Sequence, residues 1–290
     1  MKFAIIEACS DLGLDVDGTN LGPSIISKRL NNDNIKSIIS LSKNNVIKEH
    51  NEENLKKNFN DFNIFNAKLF NAVRETIKND MIPITIGGDH GIAIGSALAS
   101  IDMNDNLGII WVDAHLDYNT FETTITGNLH GLPLAAINGL CKDLTEFSNN
   151  KFYNPKNTVV VGYRADEENK LEELANIEKS GVTVFTNDDI NKFGIEEIMK
   201  KAIAIASDNT NGIHISFDLD IIDSNYAPGV SVKEENGIDL DTAYKITDII
   251  SNNLTLIKSF DLVEYNPLLD IDDKTLDIAT NIINKIVNKK

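Results

Sequence analysis

The sequence is short of positive charge. Its 27 lysines and arginines stand against 44 aspartates and glutamates, a formal net charge of −17. Such a chain lacks the basic face that displaces counterions from phosphates, so a nucleic-acid partner is excluded. A small cationic substrate would be favoured by the same field. Cysteine is scarce too: Cys9 and Cys141 stand alone, in no spacing that reads as a metal knuckle or a disulfide framework, and the usage suits a reducing cytoplasm. No apolar run reaches the roughly 18 residues that a membrane span needs. The apolar start, Met1 to Ile6, is cut off by Glu7 too early to serve as a signal peptide. Gly/Ser/Pro-rich linkers, low-complexity tracts and fixed-period repeats are all missing, and the six prolines fall at or near predicted element edges, where they cost least. With 42% hydrophobic and 24% charged residues over 290 positions, the chain reads as one globular domain spanning 1–290.

What is present is an alternation. Short β-branched runs at Phe3–Ile6, Ile35–Leu41, Ile82–Ile86, Leu107–Val112, Thr158–Gly162, Val182–Phe185, Gly212–Phe217 and Leu256–Val263 read as strands. Several are apolar almost throughout, as expected of strands covered on both faces. Between them lie helical patterns such as Asn54–Ile77, Ile195–Ala206, Leu240–Ile250 and Lys274–Val287. Repeated strand–helix alternation implies an α/β fold, a parallel sheet with helices on both sides.

In such a sheet, ligands bind beyond the carboxyl ends of the strands. Four strand ends here carry acids or imidazoles: Gly87-Gly88-Asp89-His90, Asp113-Ala114-His115-Leu116-Asp117, Asp218-Leu219-Asp220 and Glu264. Residues i and i+2 share a face of an extended segment, so Asp113, His115 and Asp117 are expected to point together, and Asp218 with Asp220. Burying these carboxylates together is prohibitive unless cations neutralise them. Two divalent metals would do so, and oxygen-rich donors with a minority of imidazole favour Mn²⁺ or Mg²⁺ over a thiolate-binding metal. Metals about 3.5–4 Å apart can hold and activate a hydroxide between them. Taken alone, Gly87-Gly88 reads as a tight turn and His90 as a helix-start histidine. Three candidate ligands at period two are far more specific. His214, inside a strand, reads as a core or supporting residue, and His50 as solvated.

Together and in this order, these residues resemble the ureohydrolase family, whose members include arginase, agmatinase and formimidoylglutamase. The resemblance runs from Asp11-Leu12-Gly13 and Gly22-Pro23-Ser24 to Glu264-Tyr265-Asn266-Pro267, nearly the whole chain. It implies a three-layer α/β/α sandwich around an eight-stranded, mostly parallel sheet. It also implies two Mn²⁺ per chain, one bound by His90, Asp113, Asp117 and Asp218, the other by Asp113, His115, Asp218 and Asp220. The segment Asp117 to Gly131, with its Gly127-Asn128-Leu129-His130-Gly131 run, is similar to arginase in particular. By that likeness Asn119, Thr126 and Asn128 would bind the α-carboxylate of arginine. Asp166, or else Glu167, would meet its α-amino group. Glu264 would pair with the guanidinium, and His130 would shuttle protons. The implied reaction is hydrolysis of L-arginine to L-ornithine and urea by a metal-bridging hydroxide that Asp117 holds. A cytoplasmic homo-oligomer, trimeric or hexameric, is the implied assembly.

The chain departs from the family pattern where Gly-Thr-Pro and small residues usually follow Ala-Pro-Gly. Here Ala227-Pro228-Gly229 leads into Val230-Ser231-Val232-Lys233-Glu234-Glu235, so a hydroxyl is lost at Val232 and charge replaces an apolar turn. Two other readings stand beside arginine hydrolysis. One is agmatine, or another guanidino compound, as substrate. The other is a catalytically idle protein that binds metal and arginine.

Overall fold

The computed structural model describes residues 1–43, 46–51, 54–164 and 171–288. The eight apolar runs become strands: β1 (Phe3–Cys9), β2 (Ile35–Ser42), β3 (Ile82–Gly87), β4 (Gly108–Val112), β5 (Thr158–Tyr163), β6 (Thr183–Thr186), β7 (Ile213–Asp218) and β8 (Ile257–Val263). Seven agree with the expected bounds to within one residue at each end. β1 runs three residues further because its polar Glu7 has partners, accepting hydrogen bonds from the Ser24 and Ser27 hydroxyls.

The strands form one sheet in the order β2-β1-β3-β8-β7-β4-β5-β6, with every adjacent pair parallel. Between β3 and β4 the chain skips two places, which β7 and β8 later fill. The four strand ends carrying acids and imidazoles are therefore side by side at the centre of the sheet. Nine helices among the described residues cover it: α1 (Gly22–Arg29), α2 (Phe59–Lys78), α3 (Ala93–Asn104), α4 (Pro133–Ile137), α5 (Leu171–Ser180), α6 (Asn187–Phe193), α7 (Ile195–Ala206), α8 (Leu240–Asn252) and α9 (Lys274–Val287).

The side-chain alternation of the strands divides the core. Ile110, Val112, Ile213, Ile215 and Phe217 pack with α1, α6, α7, α8 and α9 on one face. Ile109, Trp111 and Val160 pack with α2, α3, α4 and α5 on the other. That is the three-layer sandwich, each fully buried aliphatic or aromatic side chain contributing about 1.5–3 kcal/mol. No helix among the described residues is long and apolar enough to cross a membrane.

One expected helix start moves. The helix read from Asn54 begins instead at Phe59, after Asn58 turns left-handed at φ 56°. The Asn58 side chain is used locally, donating to the Leu12 carbonyl at 3.1 Å and accepting from the Glu49 amide at 2.7 Å, so it ties loops together instead of continuing a helix.

The turn after β3 brings two backbones unusually close. The Gly88 amide donates to the Ala8 carbonyl at 3.0 Å, Asp89 donates to Ser10 at 3.0 Å, and the Gly88 carbonyl accepts from Glu264 at 2.8 Å. A Cβ at Gly88 would lie 1.7 Å from the Ser10 carbonyl oxygen. Gly88→Ala should therefore cost about 3 kcal/mol in urea unfolding. A variant as stable as the unaltered protein would show that this approach has slack.

Candidate active site

Three strand ends repeat one local device. After β3, β4 and β7, the first aspartate accepts through Oδ1 from the backbone amide two residues on. Asp89 takes Gly91 at 2.9 Å, Asp113 takes His115 at 2.6 Å, and Asp218 takes Asp220 at 2.8 Å. These are side-chain-capped turns, a habit of aspartate that needs no tertiary help. They correct the expectation of an extended Asp113–Asp117 face: residues 113–115 bend, and Asp117 takes a left-handed φ of 49°. The side chains converge because the chain curls. In Asp113 and Asp218 the curl leaves Oδ2 facing the common space. In Asp89, Oδ2 instead accepts from the Gly13 amide at 3.0 Å, which turns that carboxylate to the opening loop.

His90 lies flat on Trp111, ring centroids 3.9 Å apart and planes 4° off parallel. Its Nε2 meets the Ser216 hydroxyl at 2.8 Å. Its Nδ1 faces three carboxylate oxygens, of Asp113 at 2.9 Å, Asp218 at 3.1 Å and Asp117 at 3.3 Å, yet none is aligned for a hydrogen bond. His115 Nδ1 lies 2.9 Å from Asp220 and 3.5 Å from Asp113. The trios His90, Asp113, Asp218 and Asp113, His115, Asp220 are each compact enough to hold an ion, and they share Asp113.

The titrations of this cluster are strongly displaced. Burial, then the Asp113 charge, holds Asp117 well above the ordinary carboxylate range. Burial, then Asp220 and Asp113, does the same to Asp218, and burial with Asp113 raises Asp220. Burial would also raise Asp113, but the adjoining imidazoles of His115 and His90 outweigh it and hold that carboxyl low. Burial opposes the charged form of both imidazoles, yet the carboxylates beside them raise His90 and carry His115 well above its usual value.

A cavity of about 330 Å³ opens onto the cluster. Expected substrate contacts Asn119, Thr126, Asn128 and His130 line it, as do Glu264 and Val232. Asn119 accepts from Thr123 at 3.0 Å, and Thr126 Oγ1 accepts from the Asn128 amide at 3.2 Å, so the mouth is a set of self-capped turns. Glu264, itself at a left-handed φ of 68°, accepts from the His90 amide at 2.8 Å and meets His130 Nδ1 at 3.2 Å, both through Oε1. Its Oε2 is buried without a hydrogen bond. Asp166 and Glu167 lie outside the described residues. His50 is exposed. His214 is buried in β7, with Nδ1 2.6 Å from Ser259 and Nε2 3.1 Å from Asp261, away from the cluster.

Several residues of the site were not read from the sequence. Trp111 also donates through Nε1 to Asp113 Oδ2 at 2.8 Å. Trp111 and Ser216 each stand two places before a clustered aspartate, a spacing that could have flagged them. Glu173 accepts from the Tyr118 amide at 2.8 Å and lines the cavity; nothing in its helical segment signals that.

The comparisons decide the family. The sequence pattern of the Arginase family matches residues 1–288. The chain belongs to the arginase family. It is 34% identical to a Staphylococcus aureus (strain COL) protein named arginase, over 96% of this chain and 94% of that one. It is equally identical to the Bacillus subtilis (strain 168) arginase, over 99% and 98%. The crystal structure of arginase from Bacillus subtilis superposes with a TM-score of 0.86 at 33% identity, covering 100% of this chain and 99% of that one.

The family implies a divalent metal cofactor, and the donor set fits one. With its one ring proton on the Nε2 that meets Ser216, a neutral His90 would present a bare Nδ1 lone pair to three carboxylate oxygens, an arrangement that is repulsive unless a cation lies among them. The raised groups bind more protons folded than unfolded. Stability of the metal-free protein should therefore fall as pH rises: the carboxylate part from about pH 4 upward, the histidine part intact below about 6.5 and lost above it. Asp113 acts in the opposite sense, only at acid pH. A divalent cation competes with these protons and should bind better as pH rises. Thermal melts in chelator between pH 6 and 9 should show a falling Tm, and added Mn²⁺ should flatten the fall. A metal-free Tm that is level or rising would contradict this account.

Proposed function

We propose that residues 1–290 act as a single domain that hydrolyses L-arginine to L-ornithine and urea with two Mn²⁺ per chain. The observation that carries this reading is Glu264: a carboxylate 3% exposed, its Oε2 without a hydrogen bond, lining a cavity shared with the His/Asp cluster. A planar guanidinium is the partner that such an acceptor lacks, and the pairing gives orientation as well as energy. The polar turns bearing Asn119, Thr126 and Asn128 suit an α-carboxylate at the other end of the substrate; by the family resemblance alone, Asp166, or else Glu167, would meet its α-amino group. That carboxylate contact favours arginine over agmatine.

His90, Asp113, Asp117 and Asp218 would hold one cation, and Asp113, His115, Asp218 and Asp220 the other, with Asp113 and Asp218 common to both. When bound, the pair supplies the positive charge that lets water lose a proton near neutral pH. Asp117 takes up a proton from the attacking water. As the bond from the guanidinium carbon to the ornithine nitrogen breaks, Asp117 returns a proton to the leaving amine. His130, partly exposed beside Glu264, exchanges the surplus proton with solvent. Manganese is preferred because the donors are mostly oxygen with two imidazoles. The free cysteines Cys9 and Cys141 suit a cytoplasmic location, and a trimeric or hexameric homo-oligomer is the assembly the family favours.

Urea release from arginine and agmatine, with and without Mn²⁺, tests the assignment. Arginine should be preferred and Mn²⁺ required. Equal use of agmatine would favour the wider guanidino reading, and arginine binding without urea would favour an idle protein. Asp218→Ala should lose Mn²⁺, and unchanged metal content would overturn the ligand set. Glu264→Gln should keep the metal but lower kcat/KM by roughly 100-fold, about 3 kcal/mol.

A further inference from the structure

The loop that departs from the family pattern is turned into the site at one residue. Lys233 and Glu235 are exposed, whereas the Glu234 side chain is 26% exposed and lines the cavity. Its Oε1 lies 3.2 Å from His115 Nε2. The loop beneath it is anchored. Arg164 donates through Nε to the Glu235 carbonyl at 3.1 Å, and through Nη2 to the Glu234 carbonyl at 3.3 Å and the Asp220 carbonyl at 2.5 Å. Asn187 holds the Asn236 carbonyl at 2.7 Å, and Asn266 holds the Ser231 hydroxyl at 3.0 Å. One guanidinium thus ties the backbone of Glu234 to that of Asp220, whose carboxylate faces the other nitrogen of the same imidazole.

We propose that Glu234 is a positioning residue for His115, accepting its Nε2 proton so that Nδ1 presents a lone pair between Asp113 and Asp220. The proposal rests on the reading of this cluster as a divalent metal centre. A neutral imidazole carries one ring proton. An ionised carboxylate can only accept, so the proton sits on the Glu234 side and the metal-facing nitrogen is bare. His90 is held differently, by a hydroxyl that can donate or accept and by the Trp111 face. Of the two imidazoles, His115 alone has its tautomer set by an acid from the mouth loop. The affinity of the cation that His115 helps to hold should therefore depend on a residue that the loop replacement introduced.

Calorimetric titration of the metal-free protein with Mn²⁺ tests this, with electron paramagnetic resonance following the coupled pair. Glu234→Ala should weaken one of the two binding steps by roughly 10–100-fold, leave the other within about twofold, and convert the coupled signal to that of an isolated ion at limiting metal. Glu234→Gln, whose amide oxygen can still accept from Nε2, should restore most of the affinity. Glu235→Ala should change nothing. Glu234→Leu serves in place of the alanine variant should that one not fold. Unchanged affinity in the alanine variant would overturn the proposal. So would a glutamine variant that loses the ion as fully as the alanine one, since charge and not proton placement would then be at work. Unaltered protein that takes up no Mn²⁺ would instead overturn the metal-centre reading, and the proposal with it.

Discussion

Like charge gathered out of water is the constraint on which this structure turns. Asp113, Asp117, Asp218 and Asp220 are all less than a tenth exposed, within reach of two imidazoles in which each raised titration records the strain. Left to itself, such a cluster favours opening its loops to solvent. It persists because the scaffold gives the loops no freedom to part. They leave β3, β7 and β4 at the centre of a parallel sheet, where backbone pairing on both sides fixes the starting point of each turn.

Local chemistry and global topology cooperate there. An aspartate that caps its own turn commits one oxygen to the backbone and is left with one to spare, and two of the three such turns direct the spare oxygen into the common space. The sheet supplies translation, and the turns supply direction. Trp111 adds rigidity, since it stacks on His90 while its ring nitrogen pins Asp113, fixing an imidazole and a carboxylate from different strand ends with one side chain. A centre so restrained is organised before any cation arrives, so little of the binding energy has to go into ordering side chains.

The fold was legible because the strands are nearly pure apolar runs, and burial on both faces writes itself into composition. Helices were legible where one face is wet, as in Ile195–Ala206 and Lys274–Val287. Helix α3 carries no such signal: Ala93 to Ile101 is buried throughout, so the helical period is erased. The acids and imidazoles of the site could be found from their place after strands. Of their supports, Ser216 was within reach through its place two residues before Asp218, but Glu234 was not, because it matters only through a neighbour 119 residues away. Asp113, His115 and Asp117 do come together, but through a bend and a left-handed residue and not along an extended face. Period two and a capped turn both bring i and i+2 together, and only the backbone distinguishes them.

The opening loop shows how far the restraint extends. The Lys48 side chain is 2% exposed, and its ammonium lies within 3.0 to 3.4 Å of the carbonyls of Leu14, Asp15 and Val16 and 2.7 Å from Asp17. It plays the part of a built-in cation, gathering a loop that has no regular secondary structure. Lys57 holds the same loop through Asp15 at 2.8 Å. What the loop then offers the site is Gly13, whose amide donates to Asp89 and whose carbonyl accepts from the His130 amide, both at 3.0 Å. Asp89 is fully buried, and burial together with the nearby Glu264 charge pushes it up to about 7, against the pull of the Gly13 amide. A carboxyl poised there is sensitive to whether Gly13 is in place. Two lysines remote from the cluster therefore help to hold the backbone from which His130 reaches Glu264. The acidic centre is kept together partly by positive charge spent on carbonyl oxygens well outside it.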